Sequence, residues 1–155
     1  MSTSTNYYQR SIDLSIFQGI KENGIATVDQ SLFNNGGEVC TGIQKLIQRW
    51  LIRFLTPLGA VKFHPEWGTD FLSEAPSFHS ELDTEIAFYS AITDVSDQLS
   101  EEEDDNMSDD EKLEKVDLLG ITVRDTGFVM KIKITSQAGE SAPLILPITI
   151  NPLQL

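Results

Sequence analysis

The sequence predicts an α+β fold in which two helices pack on a small antiparallel β-sheet, preceded by an extended N-terminal arm. Three observations carry this: apolar residues at helical spacing over 39–55, a second helical stripe over 82–99, and a change to a period of two from residue 117 onward. No internal repeat is visible. A chain of 155 residues is about the size of one domain, which buries roughly 68 to 70% of the surface its unfolded chain exposes. The reading is therefore a single domain over 1–155: an arm over 1–24, a helical part over 25–100 with an ordered turn at 55–71, an acidic linker over 101–116 and a sheet over 117–155.

Residues 1–11 are polar, and 12–33 mix short apolar patches (IDLSIF, IATV, SLF) with turn residues, as an extended arm does. NNGG at 34–37 breaks the chain. Directly after it, Val39, Ile43, Leu46, Ile47, Trp50 and Phe54 recur at helical spacing, with Leu51 and Leu55 widening the apolar face. That face is wider than one small sheet covers, which makes Trp50 and Phe54 candidate anchors for another chain. Lys45, Arg49 and Arg53 at i, i+4 and i+8 form a basic stripe on another side, either a solvated face or part of a docking surface. Pro57 and Gly59 stop the helix, and Pro65 and Gly68 punctuate the segment after it. A second helix starts near Ser77 or Ser80, either of which suits an N-cap, and its stripe reads Leu82, Ile86, Tyr89, Ile92, Val95, Leu99. The acidic run SEEEDDNMSDDEKLEK repels itself and reads as a helix end followed by a mobile linker. FVMKIKIT then sets Phe128, Met130, Ile132 and Ile134 on one face and Lys131 and Lys133 on the other, joined to LLGITVR by a DTG turn as a hairpin. In PLILPITI, Leu144, Leu146, Ile148 and Ile150 alternate with Ile145, Pro147 and Thr149, and Pro147 places this strand at an edge because it cannot donate to a ladder.

Charge narrows the function. The net charge is −13, yet residues 1–72 hold six basic and six acidic side chains, so the whole excess lies in 73–155, with five basic and eighteen acidic. Nucleic acid is not an expected partner, since phosphate contacts need clustered cations. A membrane is not expected either: no apolar run is long enough to span a bilayer, and MSTSTNYYQR lacks the basic start and apolar run of a signal peptide. The chain reads as soluble. One cysteine, Cys40, permits no internal disulfide and no multi-cysteine zinc site, and no cofactor is expected.

Chemistry is sparsely encoded. Glu66 and Asp70 flank Trp67, the residue types of a glycosidase pair, but their spacing sets no distance between the carboxyls. His64 and His79, with Cys40, show neither HxxxH nor CxxC spacing; His64 is expected to be packed and His79 exposed. A calcium loop begun at Asp104 fails where it needs a glycine (Asp109) and a closing glutamate (Lys115). NNGGEV lacks the lysine and serine of a phosphate-binding loop. The expectation is no catalytic and no metal-binding residues.

The segment IQKLIQRWLIRFLTPLGAVKFHPEWGTDFL resembles the baseplate wedge, or sheath-initiator, family of contractile phage tails, shared with type VI secretion baseplates. The shared pattern is an amphipathic helix closing on Thr56, then Gly59, Pro65 and Gly68, with an aromatic residue at Trp67. The second helix and the strands follow in the family's order, so the resemblance covers roughly residues 25–151, with the turn as its specific part. The chain departs from the family at Ala60 and Val61, where members carry Glu-Arg, and in its acidic run, where many carry Glu-Pro-Arg. The resemblance implies a structural subunit of the virion baseplate, assembled in the host bacterial cytoplasm. Its partners would be other wedge proteins, the tail sheath protein, and tube or hub proteins, and it would initiate the sheath by sharing strands. Lys45, Arg49, Trp50, Arg53, Phe54, Thr56, Gly59, Pro65, Trp67, Gly68, Ile145, Pro147 and Thr149 are the expected interface residues. For Trp67, a plug in the chain's own core is the competing expectation. Two rival functions stand beside this one: a cell-wall-degrading, lysozyme-like enzyme using Glu66 and Asp70, and an acidic adaptor whose run at 101–111 binds a basic partner.

Overall fold

The structure, a computed structural model, describes residues 13–14, 26–27 and 39–150. Three two-residue strands come first: β1 (Asp13–Leu14), β2 (Ala26–Thr27) and β3 (Val39–Cys40). Helix α1 spans Gly42–Leu55, the short α2 spans Phe71–Glu74 and continues as a 3-10 turn at Ala75–Ser77, and α3 spans Glu81–Glu101. Strands β4 (Leu113–Arg124), β5 (Gly127–Ser136) and β6 (Ser141–Thr149) form an antiparallel meander. The sheet order is β2-β6-β5-β4, and β1 pairs separately with β3. This is the predicted α+β architecture. Apart from the residues of β1, the arm at 1–24 lies outside the described residues, as do NNGG and residues 151–155.

Alternation is borne out in β5 and β6 but not in β4, whose pairing is irregular at two places. Phe128, Met130, Ile132 and Ile134 are buried, with Ala142, Leu144 and Leu146 of β6 facing them across the register Ile132↔Leu144 and Met130↔Leu146. The DTG turn is a two-residue loop, Asp125-Thr126, closed by Arg124↔Gly127. Gly127 has φ +142, and a Cβ there would lie 2.0 Å from the Ile148 carbonyl oxygen, so only glycine fits. The strand carrying Pro147 is one of the two outer long strands, but β2 covers part of its rim in parallel, at Leu144 and Ile145. The sheet begins at Leu113, four residues earlier than expected.

Two expectations about the helices change. Helix α1 starts at Gly42; Val39 and Cys40 are strand, and Gly42 has φ +61, which sets the break between them. Its wide apolar face is covered within the chain by α2, α3 and β5. Trp50 and Phe54 are both fully buried, stacked on each other with centroids 4.7 Å apart, and Phe54 packs further against Phe71 and Phe88. They are the centre of the core and not anchors for a partner. In α3 the core-facing stripe is Thr84, Phe88, Ala91, Val95 and Leu99. The predicted stripe is right only from Ile92 onward: Leu82, Ile86 and Tyr89 are 62%, 62% and 47% exposed. Repeated steps of three drift around a helix of 3.6 residues per turn, and the large ring of Phe88 decides which side meets Phe54 and Phe71.

Ser80 caps α3: its hydroxyl accepts the Asp83 N–H at 3.1 Å, while the Asp83 carboxylate accepts the His79 N–H at 3.2 Å. The Ser80 contact first, then the His79 N–H, hold the Asp83 carboxyl below its ordinary 3.8. A depressed folded value means that this stabilisation is full above that pH and disappears as pH falls through the folded value. Asp83→Asn is expected to remove this component from the acid limb of the helical circular dichroism signal. In urea denaturation, Phe88→Ala is expected to cost about 3–5 kcal/mol and Leu82→Ala no more than about 0.5 kcal/mol; the reverse ranking would restore the stripe that the sequence spacing suggests.

Candidate docking site

The site is built outward from the basic stripe of α1. Lys45, Arg49 and Arg53 stack one above another because residues four apart share a helix face, and the acidic run folds across them. Lys45 Nζ donates to Glu111 Oε2 at 3.0 Å, with both side chains almost fully buried. Glu111 Oε1 also accepts the Gly42 N–H at 3.2 Å. A carboxylate supplied from 69 residues away thus takes up an orphan donor at the α1 N-terminus, where Thr41 makes no side-chain cap. Arg49 Nη2 donates to Glu102 at 3.0 Å, its Nη1 donates to the Glu111 carbonyl at 3.3 Å, and Arg53 shares Glu102.

This corrects two expectations. The stripe is neither a solvated face nor open to a partner, because each of its cations is paired within the chain. The acidic run is not a mobile linker: Glu111 and Asp110 are buried, and turn bonds such as Glu111 N–H to the Ser108 carbonyl, 2.9 Å, organise it. Self-repulsion is offset because three cations lie beneath. The basic group met by Glu102 and Glu111 is this chain's own helix.

Arg53 passes the arrangement to the turn. Its guanidinium lies 3.2 Å from the Trp67 ring centroid, and the His64 ring stacks parallel on Trp67 at 3.9 Å. Two groups that close cannot share one face, so Trp67 is clasped on both. It is neither a core plug nor a broad free surface, and His64, expected to be packed, has a side chain 48% exposed. The backbone beneath is tightly tied. Thr56 Oγ1 donates to the Ile52 carbonyl and Thr69 Oγ1 to the Phe54 carbonyl, closing the end of α1, while Thr69 N–H to Thr56 and Leu58 N–H to Thr69 pin the two ends of the turn together. Gly59, φ +78, donates to the Pro65 carbonyl at 3.0 Å. Gly68 is buried at φ +105, where a Cβ would lie 2.3 Å from the Thr56 carbonyl oxygen. Gln98 of α3 grips Gly68 with two bonds, accepting its N–H at 3.0 Å and donating to its carbonyl at 2.8 Å. Thr56, Gly59, Pro65, Trp67 and Gly68 therefore act together in one rigid turn.

The turn displays two side chains that its sequence did not single out. Phe63 is 86% exposed and Leu58 half-exposed. A signal was present: an aromatic residue between Lys62 and His64, in a loop bounded by two prolines, has no periodic path to a core. Ile145, Pro147 and Thr149 are not part of this turn. They occupy the sheet face turned away from the core, with Ile145 half-buried and the other two exposed. Strand β4, against which α3 packs, ends the sheet among the described residues, with irregularities at Leu113/Lys115 and Leu118/Gly120.

Glu66 bonds to His64 Nδ1 at 3.1 Å, and its carboxyl is held below its usual value, first by its backbone hydrogen bond and then by His64. That is the opposite of what a proton-donating glycosidase acid requires. Burial, then Asp13, pushes the Cys40 thiol up to about 11, so it is a poor nucleophile at neutral pH. Among the described residues no group of three or more His, Cys, Asp or Glu is placed to hold a metal ion, and no helix is long and apolar enough to cross a membrane. In comparisons with known proteins the chain matches no family model, no curated protein and no solved structure.

Removing the Glu111 carboxylate deprives Lys45 and the α1 N-terminus at once. Glu111→Ala is expected to cost about 3 kcal/mol, the order found when one member of a buried ion pair is deleted, or roughly 6–12 °C in Tm for a domain of this size. The double change Glu101→Gln with Asp105→Asn, at exposed positions of the same run, is expected to leave Tm unchanged by calorimetry. Equal effects of the two would mean that charge density alone, and not pairing, governs the run.

Proposed function

We propose that the chain is a non-enzymatic structural subunit of a contractile-tail baseplate, docking to other wedge proteins through the turn at 55–71 and templating the first sheath ring by strand addition. The observation that supports this most is the asymmetry of the sheet. One rim is capped at Leu144 and Ile145 by β2, whereas β4 offers a rim twelve residues long with no strand beside it among the described residues. Unpaired N–H and C=O groups along a rim accept a donated strand, and the two irregularities of β4 leave two regularly paired stretches, Lys115–Leu118 and the longer Gly120–Arg124. The rigid turn supports the docking half of the reading, since Phe63 and Leu58 are held out on a tied backbone. In this reading the protein resides in the virion baseplate and is assembled in the bacterial cytoplasm. Truncating residues 143–155 does not isolate strand sharing, because Leu144 and Leu146 are core.

Alternate residues of an antiparallel rim strand point their N–H groups inward and outward. Of the single variants Thr122→Pro and Val123→Pro, the one that retains the wild-type Tm has lost an outward N–H. Baseplates assembled with that folded variant are expected to carry no sheath or truncated sheaths by negative-stain electron microscopy. Sheaths of normal length would overturn strand addition at β4. In a turbidity assay on cell walls, lysis abolished by Glu66→Gln would favour the enzyme reading instead.

A further inference from the structure

Helix α3 is apolar on two opposite sides. Its inner side is the core stripe; on the outer side Leu82, Ile86 and Tyr89, at i, i+4 and i+7, stay exposed among the described residues. A surface helix of a solitary domain has one apolar stripe and a polar back, so the second stripe calls for a cover. Beside it runs a groove of about 410 Å³ between α3 and the α2 segment. Phe78, Ile86 and Ala87 give the groove an apolar lining, and Glu74 and Asp83 stand on it. Over its 21 residues α3 carries six carboxylates and no basic side chain. Among the described residues the salt-bridged Lys and Arg side chains are engaged elsewhere, on the acidic run and on Asp117.

We propose that the outer face of α3, with the adjoining groove, is a docking surface for a basic amphipathic helix of another protein. An apolar row on that helix would cover Leu82, Ile86 and Tyr89, and its flanking Lys or Arg side chains would meet the carboxylates of α3 and reach Glu74 beside the groove. Charge selects this occupant over a second copy. Two chains of net charge −13 meeting through this face would set carboxylates against carboxylates. The surface is separate from the β4 rim, so it stands whether or not strands are added there.

The test uses the full-length protein and a fluorescein-labelled synthetic peptide of about 14 residues, roughly 21 Å of helix, with leucine along one face and lysine on its flanks. Fluorescence anisotropy is expected to show saturable binding that weakens as salt rises. Ile86→Asp is the decisive variant because two mechanisms give opposite signs. It adds negative charge, so attraction between bulk charges predicts tighter binding; docking on the apolar row predicts weaker binding by roughly tenfold, about 1.4 kcal/mol. A peptide with glutamate in place of lysine is expected not to bind. The proposal is overturned by binding that Ile86→Asp leaves unchanged or tightens, by equal binding of the glutamate peptide, or by no binding of the lysine peptide. It is overturned also by sedimentation showing a wild-type dimer that Ile86→Asp dissociates, which would assign the face to a second copy.

Discussion

Two segments of this chain are unfavourable alone and compatible only together. A helix with Lys45, Arg49 and Arg53 on one side cannot bury that side in an apolar interior without a large desolvation cost. Residues 101–111, with eight carboxylates in eleven positions, resist compaction by their own repulsion. Laid across each other they remove both difficulties, and α1 becomes a helix covered almost all round, with Gln44 and Ile52 its exposed residues. The rest of the fold depends on this contact. It sets where α3 ends, at Glu101 with Glu102 as its C-cap, and where β4 begins, two residues after Glu111. It also places a negative charge at the α1 N-terminus, where the local sequence supplies no acidic residue in the first turn.

From there the constraint runs to the turn by contact. Glu102 orients Arg53, Arg53 lies on Trp67, and Trp67 holds His64, which in turn meets Glu66. A second, uncharged tie runs from Gln98 to the backbone of Gly68. The turn is thus referenced to both helices, one through an ion pair and a ring, the other through paired amide bonds. A loop tied in this way presents Phe63 with little conformational entropy left to lose, which favours tight recognition by a rigid partner.

What the sequence made legible was local. The alternation of β5 and β6, the hairpin turn, a serine cap on α3 and the helical character of α1 and α3 all follow from short-range pattern and turn chemistry, although that pattern leaves the cap open between Ser77 and Ser80 and starts α1 three residues too early. Lost to sequence reading were features fixed by residues far apart. Nothing near Lys45 announces Glu111, and a run of carboxylates looks like a solvated linker until its counter-charges are placed beneath it. The stripe of α3 was misread for a related reason: Leu82 and Ile86 are as apolar as core residues, and only the position of Phe54 and Phe71 decides that Phe88 faces inward. In the candidate site, Gly59, Pro65 and Gly68 are legible because turns demand particular residue types, and Thr56 only through the resemblance of the turn. Trp50 and Phe54 were assigned to an interface because a wide apolar face does not say which chain will cover it.

The pairings of α1 with the acidic run join residues 49 to 69 positions apart, and that separation bears on how the chain reaches its native state. Synthesis delivers α1 first, with its cations unanswered, and at about 5–20 residues per second several seconds pass before Glu102 and Glu111 leave the ribosome. Until then the helix lacks its distant cap, and Trp50 and Phe54 lack the strands that enclose them. Local helix formation takes about a microsecond, so closure of this long loop, and not secondary structure, sets the pace. The nascent chain must spend that interval with its largest aromatic side chains uncovered, which makes the waiting period the point at which a chaperone would find it.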